Sequence, residues 1–338
     1  MNHGPAILVT GGAGYIGSHG CRALQAAGYH PVVFDNFSTG HRGFVTGSLV
    51  TGDLTDSAAL NRAFAQHDIV AVMHFAASSL VGESVADPAK YYANNVAGTL
   101  SLLDAMRKAG CNRLVFSSTG AVYGNADSKA LPESYPCAPI NPYGASKWMI
   151  ERILADYRSA YGLGAFCLRY FNASGADANG GIGELRDNET HLIPRAMMAL
   201  QGHVGDFAVF GDDYDTPDGT AIRDYIHVTD LAAAHLAALK LLMQGHAGGA
   251  FNLGTGAGYS VREILTAIAA ETGREVPHVV KPRRAGDPTY LVADPSAARQ
   301  TLKFRPANSD LATIIRTAWA WHKKAHPLKA DEPLSPAA

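Results

Sequence analysis

Tyr143 and Lys147 are the residues of this sequence whose types and spacing are best suited to proton transfer. Asn141 is a favourable helix cap and Pro142 a favourable first helical residue, so a helix is predicted to begin here. Tyr143 and Lys147 then share one face of the helix, where an ammonium group favours the phenolate. Bringing a tyrosine pKa from about 10 to near neutrality takes roughly 4 kcal/mol, of which one lysine supplies a part. Because this spacing is also common on helix surfaces, the other motifs decide the interpretation.

Hydroxyl groups follow a predicted strand at 113–118, where the sequence runs Ser117-Ser118-Thr119. At the carboxyl end of a parallel strand such groups face the ligand crevice of the sheet. Thr119 is therefore a candidate to hydrogen-bond a substrate hydroxyl. Its alternative role is that of a turn residue, and we would prefer that role if the Tyr143 segment were absent.

A glycine-rich loop links the predicted strand 6–10 to a predicted helix at 18–27. Gly11, Gly14 and Gly17 permit a tight turn and a close approach of the backbone to a pyrophosphate. The start of the helix offers N–H groups and a positive dipole end to the phosphates. The position of the loop between a strand and a helix makes this motif a strong indication of dinucleotide binding.

Asp35 ends the next predicted strand, 31–34, about 20 residues beyond the glycines. A carboxylate there accepts hydrogen bonds from an adenosine ribose and repels a 2′-phosphate, so NAD is expected rather than NADP. The alternative role of Asp35, a cap or turn residue, is less consistent with its distance from the loop. Asp53, in a third predicted strand at 49–54, could reach the adenine amino group.

Further apolar runs at 69–75, 113–118 and 164–170 alternate with helical stretches such as 88–109. This alternation predicts an α/β fold with a doubly wound parallel sheet. We divide the chain into a dinucleotide-binding domain, a mainly substrate-binding domain of smaller α/β type, and a flexible tail, at residues 1–172, 173–325 and 326–338.

The second half begins with a stretch rich in glycine, aspartate and asparagine, 174–190, which is predicted to be a long functional loop. After it, short predicted strands mix with predicted helices. The strands are 207–210 and 250–253, and the helices are 193–201, 229–243 and 261–271.

The composition is that of a core-rich globular protein, with 47% apolar and 17% charged residues. A net charge of −2 indicates neither nucleic acid nor an anionic membrane as the main partner. Four dispersed cysteines, the lack of a leader-like start and the lack of a long apolar run predict a cytoplasmic protein. No metal site is expected, since the histidines lack metal-ligand spacing and are assigned packing roles. The four cysteines are Cys21, Cys111, Cys137 and Cys167, and the histidines assigned packing roles are His74, His191, His227 and His235.

Taken together, the motifs resemble the extended short-chain dehydrogenase/reductase family, and within it the UDP-hexose 4-epimerases. The resemblance extends from about residue 6 to residue 320, and its many ordered segments are far more specific than any single motif. It implies a Rossmann fold, bound NAD and a homodimer. The helices at 91–109 and 148–161 are the candidates for the dimer interface, and ordinary packing on the sheet is their alternative role. The segments that carry it are 10–17, 81–84, 91–95, 143–147, 169–172, 190–194, 218–227 and 283–287.

The resemblance also implies residue roles. Tyr143 would be the catalytic base, Lys147 would bind the nicotinamide ribose and lower the tyrosine pKa, and Thr119 would share the sugar 4-hydroxyl. The residues that would bind the cofactor lie in the glycine-rich loop, near the ends of the predicted strands and on the helix that begins at Pro142. They are Gly11, Gly14, Tyr15, Ile16, Gly17, Asp35, Asn36, Asp53, Leu54, Phe75, Ala76, Asn94, Ser117, Tyr143, Lys147 and Tyr170. The implied UDP-sugar residues are Thr119, Asn172, His191, Leu192, Phe210, Arg223, Arg284 and Asp287.

The implied activity is the interconversion of UDP-glucose and UDP-galactose through a transient 4-keto sugar. Related dehydratases and decarboxylases place a carboxyl group after the threonine, whereas this chain has Gly120-Ala121, so elimination is disfavoured. A non-catalytic NAD-binding sensor is a further alternative, although such proteins tend to lose the tyrosine or the lysine.

Three positions depart from the family pattern. Ser79 and Leu80 replace a lysine or an aromatic residue, which puts a nicotinamide-side contact in doubt. At the position of Leu291, relatives that exclude N-acetylated sugars tend to have tyrosine, and relatives that accept them tend to have a small residue. Leucine is intermediate in size between the two. UDP-pentoses and UDP-N-acetylhexosamines therefore stay open as substrates, and we expect at most weak turnover of the latter.

Overall fold

Residues 4–284 and 286–327 are described by a computed structural model, in which helices and strands alternate through most of the chain. The strands of these ranges are β1 (Ala6–Thr10), β2 (His30–Asp35), β3 (Ser48–Thr51), β4 (Ile69–His74), β5 (Arg113–Thr119), β6 (Ser128–Leu131), β7 (Gly164–Tyr170), β8 (Asn172–Ser174), β9 (Ala208–Phe210), β10 (Ile222–Arg223), β11 (Tyr225–His227), β12 (Gly248–Leu253), β13 (Tyr259–Ser260), β14 (Val279–Lys281) and β15 (Tyr290–Ala293). The α-helices are α1 (Tyr15–Ala26), α2 (Ser57–Gln66), α3 (Val81–Ala86), α4 (Pro88–Tyr91), α5 (Gly98–Lys108), α6 (Pro142–Tyr161), α7 (Leu192–Leu200), α8 (Val228–Met243), α9 (Val261–Thr272), α10 (Ser296–Thr301) and α11 (Leu311–Ala325).

The central sheet contains seven parallel strands in the order β12-β7-β5-β4-β1-β2-β3. Helices α1 and α8 pack on one face, and α2, α5 and α6 pack on the other. The strand order reverses between β1 and β4, which is the switch point at which such sheets bind ligands. The predicted α/β fold with a doubly wound parallel sheet is confirmed.

The central strands are apolar along their length because both faces of the sheet are covered. In β1, Ile7 and Val9 belong to the core under α1 and α8, whereas Leu8 belongs to the core under α2, α5 and α6. All three side chains are fully buried. Burial of each stabilises the fold by roughly 1.5–3 kcal/mol relative to exposure.

The predicted strands at 6–10 and 164–170 have the observed bounds, and the third strand ends earlier than predicted. Its last residue is Thr51, because the Asp53 carboxylate accepts a hydrogen bond from the Thr55 N–H at 2.8 Å and forms a turn. Helix α1 begins at Tyr15, three residues before the predicted start, with Gly14 as its cap.

The predicted helix at 88–109 exists but is not regular. It starts with α4, continues through a π-helical turn at Tyr92–Ala97 and ends with α5. π-Helical turns are rare and often lie at functional sites. This turn contains Asn94, one of the residues assigned to the cofactor.

A second core lies between α7, α9 and α11, with Ile193, Ile264 and Ile314 among its buried residues. Beside it are a four-stranded sheet, β13-β10-β15-β6, and the pairs β11-β8 and β14-β9. These strands have only two to four residues each, too few for a periodic pattern, and the sequence analysis predicted just one of them, β9, at 207–210. Because α8 and β12 return to the first sheet, the domain boundary at residue 172 stays a prediction.

Helix α11 ends at Ala325, just before the predicted tail at 326–338. Residues 326 and 327 follow the helix, and the rest of the predicted tail lies outside the described residues. Among the helices of the described ranges, none combines the length and the apolar character that crossing a bilayer requires.

Candidate active site

The glycine-rich loop lies at the switch point between β1 and β4, and two of its glycines have no room for a side chain. Gly11 has a φ of +70°, and a Cβ there would lie 2.6 Å from the backbone nitrogen of Ala76. A Cβ on Gly17 would lie 2.1 Å from the carbonyl oxygen of Gly11. Gly14 caps α1. The loop can therefore take this tight path only with glycine, and it exposes backbone N–H groups at the start of a helix.

Asp35 ends β2 with its carboxylate turned back to the loop. Its oxygens accept hydrogen bonds from the backbone N–H groups of Ala13 at 2.9 Å and Phe37 at 2.8 Å. Beside it, Asn36 donates to Asp53 at 2.7 Å. The Thr55 hydroxyl and N–H, which also donate to Asp53, lower the pKa of that carboxyl group. A carboxylate at the position of Asp35 can accept hydrogen bonds from ribose hydroxyls and repels the extra phosphate of NADP, and the assignment of Asp35 to the ribose and of Asp53 to the adenine stays a prediction.

The other assigned cofactor residues lie around the same crevice. Phe75 stacks near His235, with 4.8 Å between ring centroids, and the Ala76 N–H donates to the Thr10 carbonyl at 3.0 Å. Tyr15 donates its hydroxyl to the Gly175 carbonyl at 2.6 Å, which ties α1 to the long loop. Three more are placed by packing or by a single hydrogen bond. Ile16 packs on the core of α1 and α8, Leu54 is buried against Gly98, and Asn94 bonds Asn95 at 2.9 Å.

Helix α6 begins as predicted, with Pro142 as its first residue and the Asn141 side chain accepting the Gly144 N–H at 2.9 Å. Tyr143 and Lys147 are then one turn apart. The buried Lys147 ammonium donates to the Ser117 carbonyl at 2.9 Å and lies 4.8 Å from the centre of the Phe116 ring. Burial lowers the pKa of Lys147 to about 7, against the opposing charge of Glu151. The lysine thus fixes the end of β5 beside the tyrosine.

Thr119, at the end of β5, is the hydrogen-bonding neighbour that acts on the Tyr143 phenol. Burial is the largest influence on Tyr143 and raises its pKa, while the Thr119 hydrogen bond and the charge of Arg186 lower it. The role of Lys147 in lowering the pKa of Tyr143 stays a prediction. Tyr170, on β7, bonds the Ser117 hydroxyl at 2.7 Å, and burial raises its pKa as well.

The residues assigned to the UDP-sugar come from distant parts of the second half. Arg223 pairs with Asp287 at 3.2 Å and not with its neighbour Asp224, which is buried and accepts backbone N–H groups. Arg284 lies over the ring of Phe210 at 3.9 Å. The structure thus brings together cations and an acid that are up to 64 residues apart in the chain.

Three further residues assigned to the UDP-sugar lie on β8 and at the start of α7. Asn172 donates its side-chain amide to the Asp224 carbonyl at 2.9 Å. His191 caps α7, and Leu192 packs on the second core. The Leu291 backbone is paired with Arg223 in the register of β10 and β15. Leu291 therefore lies next to the arginine assigned to the diphosphate.

The sequence analysis missed a charged cluster in the long loop, formed by Glu184, Arg186, Glu189 and His191, which we name the loop cluster. Glu184 Oε1 accepts from Arg186 Nε at 3.0 Å and is 2.7 Å from His191 Nδ1. Glu189 Oε1 accepts the backbone N–H groups of Thr190 at 2.8 Å and His191 at 2.9 Å. One carboxylate oxygen each of Glu184 and Glu189 and one ring nitrogen of His191 lie within 4.8 Å of one another, close enough to be considered as metal ligands. We assign no metal here, because both Oε1 atoms already have protein partners. The available signal was the presence of two glutamates and an arginine directly before His191.

Three features together define the class of protein. They are the seven-stranded parallel sheet, the glycine-rich loop with Asp35 beside it, and the helical Tyr143 next to Thr119 at the end of a strand. This combination is that of an NAD-binding Rossmann enzyme of short-chain dehydrogenase type. Residues 7–254 match the model of the NAD dependent epimerase/dehydratase family. The chain belongs to this family, and its cofactor is NAD.

Individual relatives are similar over nearly their whole length. The UDP-glucose 4-epimerase of Rhizobium leguminosarum bv. trifolii is 51% identical, with 96% of this chain and 99% of the relative covered. The UDP-glucose 4-epimerase of Brucella ovis, solved with NAD, is 55% identical with a TM-score of 0.91, covering 93% and 97% of the two chains. The UDP-glucose-4-epimerase of Stenotrophomonas maltophila, solved with NAD and formylated UDP-arabinopyranose, is 39% identical with a TM-score of 0.91, covering 95% and 98%.

Proposed function

We propose that this chain interconverts UDP-glucose and UDP-galactose by reversible inversion at C4 of the hexose. The observation that carries the proposal is that Gly120, and not an acidic residue, follows Thr119, the hydrogen-bonding neighbour of Tyr143. A Cβ on Gly120 would lie 2.5 Å from the ring of Phe171, so a larger acidic residue does not fit there. With no carboxyl group beside Thr119, proton transfer at the 4-hydroxyl is favoured over elimination of water.

In this reaction Tyr143 takes the proton of the 4-hydroxyl and later returns it. Thr119 donates a hydrogen bond that stabilises the phenolate, and Lys147 holds the strand end through the Ser117 carbonyl. Bound NAD supplies the hydride acceptor and, once reduced, the hydride donor. The glycine loop, Asp35 and the other cofactor residues named above are proposed to retain it through turnover.

The second half is proposed to anchor UDP while leaving the hexose free to present either face. Arg223 and Arg284 offer forked donors to a diphosphate, and Asp287 offers an acceptor to ribose hydroxyls. Arg223 and Asp287 already form an ion pair, so the two groups are held ready at the same place. A firm hold on the diphosphate with few contacts to the sugar is what inversion through a keto intermediate requires.

The test of this function uses the purified protein as isolated. Denaturation should release NAD into the supernatant, and the native protein should convert UDP-galactose to UDP-glucose. Absence of both would contradict the proposal, and NAD without conversion would indicate a non-catalytic dinucleotide sensor. A dehydrated product would indicate a dehydratase.

Parallel assays with UDP-N-acetylgalactosamine and UDP-arabinose test the substrate range. Leu291 belongs to a partly packed cluster with Val122, Tyr123 and Leu131, so the adjoining space is restricted. We expect turnover of UDP-N-acetylgalactosamine to be slower than that of UDP-galactose by roughly 10-fold or more, the size of discrimination a pocket of this kind supplies. Comparable rates would contradict this expectation.

We also propose that the protein acts as a cytoplasmic homodimer. Large apolar side chains are exposed on α3, the π-helical turn, α5 and α6, and these helices pack together as one face. The cysteines are free and three of the four are buried, which suits a reducing compartment. The exposed side chains are Val81, Val85, Tyr92, Leu100 and Met149.

A further inference from the structure

A buried ion pair joins Glu151, on α6, to Arg169, on β7. Both side chains are only 4% exposed. Glu151 follows Lys147 by one helical turn and Tyr143 by two, so the three side chains lie along the same face of α6. The proposed reaction assigns no role to this ion pair.

The carboxylate of Glu151 is held by the guanidinium of Arg169 through two hydrogen bonds. Arg169 Nε donates to Oε1 at 3.0 Å, and Nη2 donates to Oε2 at 2.5 Å. The guanidinium also donates from Nη1 to the Tyr123 hydroxyl at 2.8 Å. Because a forked pair of this kind fixes orientation as well as distance, the carboxylate has little freedom to turn.

The same carboxylate also binds the end of β5. Its Oε1 atom accepts the Ser118 hydroxyl at 2.5 Å, and Ser118 is 1% exposed. Ser118 lies directly opposite Arg169 in the register of β5 and β7, and the next residue is Thr119. Glu151 therefore connects α6 to the strand one residue before the threonine assigned to the substrate.

A second hydrogen bond connects the same two elements. The Lys147 ammonium donates to the Ser117 carbonyl at 2.9 Å. Successive turns of α6 are thus bonded to neighbouring residues of β5. Tyr143 is one turn away along the helix, and Thr119 is the last residue of the strand, so both depend on how the two elements are aligned.

A buried ion pair often stabilises a fold no more than apolar residues of the same volume do, so stability alone does not account for this one. We propose that Glu151 is a positioning residue that sets the distance between Tyr143 and Thr119. Arg169 holds its carboxylate, and the Ser118 hydroxyl passes that position on to the end of β5. This inference rests on the proposed function, in which the phenol and the threonine act together on the sugar 4-hydroxyl. A misplacement of about 1 Å at such a site can lower the rate by roughly 100-fold.

The experiment compares Ser118→Ala with wild type as the NAD-containing enzyme. This variant removes the hydroxyl that connects β5 to α6 and leaves the ion pair and its charges in place. We expect kcat for UDP-galactose to fall by roughly 10-fold or more. KM and the bound NAD content should stay as in wild type, because the groups proposed to hold UDP and NAD are not altered. An unchanged kcat would overturn the proposal.

A second variant tests whether Ser118 acts through the ion pair. Glu151→Met combined with Arg169→Met replaces both charges by apolar side chains, a change that is often neutral for stability. It should lower kcat as Ser118→Ala does, and adding Ser118→Ala to it should have little further effect. Additive losses would show that the serine acts independently of Glu151, and would overturn the proposal. If the double methionine variant does not fold, Ser118→Ala decides alone, since it retains the ion pair.

The matched control is Thr99→Val. Thr99 is a fully buried residue of α5, and its hydroxyl is 2.9 Å from Nε2 of His74 on β4. The substitution therefore removes the same kind of hydrogen bond between a strand of the central sheet and a helix on the same face. It should lower the free energy of unfolding but leave kcat unchanged. A loss of kcat equal to that of Ser118→Ala would show that any weakened contact of this kind has the effect, and would overturn the proposal.

A further readout does not depend on turnover. The ultraviolet difference spectrum between each enzyme and its Tyr143→Phe counterpart reports the ionisation of Tyr143 directly. Because the Thr119 hydrogen bond lowers the pKa of Tyr143, the phenolate should form at higher pH in Ser118→Ala than in wild type or Thr99→Val. Equal titrations would overturn the assignment. If the wild-type enzyme turns over no UDP-galactose, the proposed function fails, while the spectra still decide the role of Glu151.

Discussion

At the level of single residues, Tyr143 is governed by influences that oppose one another. Burial raises its pKa, whereas the Thr119 hydrogen bond and the Arg186 charge lower it. The phenol oxygen is also the atom that would exchange a proton with the sugar. A change at this atom should therefore affect chemistry far more than folding or cofactor retention.

We expect Tyr143→Phe to lower kcat by about 10²–10⁴-fold, the usual contribution of a general acid–base group. The bound NAD content should match that of wild type, because the phenol is not part of the glycine-rich loop that is proposed to hold the cofactor. Steady-state kinetics and NAD release on denaturation measure the two quantities. Tyr161→Phe, at an exposed position of the same helix, is the control and should behave as wild type. Retained activity in Tyr143→Phe would mean that another group is the base.

At the level of elements, the start of α6 links helix stability to catalysis. The Asn141 side chain accepts the Gly144 N–H at 2.9 Å, in the first turn that contains Tyr143. The same kind of cap occurs at α11, where Asp310 accepts the Thr313 N–H at 2.9 Å. The two caps have similar local geometry, but only the first one orients a reactive side chain.

We expect Asn141→Ala and Asp310→Ala each to lower the free energy of unfolding by about 1 kcal/mol, since each removes the cap of one helix. Only Asn141→Ala should also lower kcat, because fraying of the first turn displaces Tyr143. Chemical denaturation and steady-state kinetics of both variants make the comparison. Equal kcat values in the two variants would refute a catalytic role for the cap.

At the level of the whole molecule, several buried histidines couple folding to pH. Burial lowers the pKa of His74 to about 3 and that of His19, His235 and His322 to about 4. His74 lies between the hydroxyls of Thr10 and Thr99, at 2.6 and 2.9 Å. These side chains bind protons near pH 6.5 when unfolded but only at lower pH when folded. The unfolded chain thus takes up more protons between about pH 4 and 6.5, and stability must fall as the pH decreases through that range.

His235→Leu removes one of these histidines. The Nε2 atom of His235 has no hydrogen bond within the described residues, so the substitution leaves no polar partner unpaired at that atom. The slope of unfolding free energy against pH between 4 and 6.5 should become shallower, by up to about 1.4 kcal/mol per pH unit. Chemical denaturation at three pH values measures it. His278→Leu, at an exposed position, controls for the loss of a histidine. An unchanged slope in His235→Leu would contradict the prediction.

The proposed dimer is also a property of the whole molecule. Leu100 on α5 is 40% exposed in the middle of the apolar face, so a charge there would have to be buried in the interface. Leu100→Glu should halve the mass seen by sedimentation equilibrium. Val279→Glu, at a residue 55% exposed on β14, should leave the mass unchanged. A monomeric wild-type protein would refute the dimer.

Local patterns determined much of this protein. The glycine spacing from Gly11 to Gly17, the cap and proline before Tyr143, and the apolar central strands are each set by backbone geometry over a few residues, so the sequence alone predicted the fold class and the start of α6. The short strands of the second half, with two to four residues each, lie below the length at which periodicity can be read.

Tertiary structure decided which groups meet. Arg223 is adjacent to Asp224 in sequence yet pairs with Asp287, because the register of β10 beside β15 brings the two segments together. The segment around Arg186 is held from distant parts of the chain, because the Trp321 indole donates to the Glu184 carbonyl and the His41 ring contacts the Leu185 carbonyl. Such pairings depend on packing between elements distant in the chain, and no local periodicity encodes them. The sequence by itself therefore predicted Tyr143 as the base and the loop from Gly11 to Gly17 as the dinucleotide loop, while the charges that surround Tyr143 were decided by the folded structure.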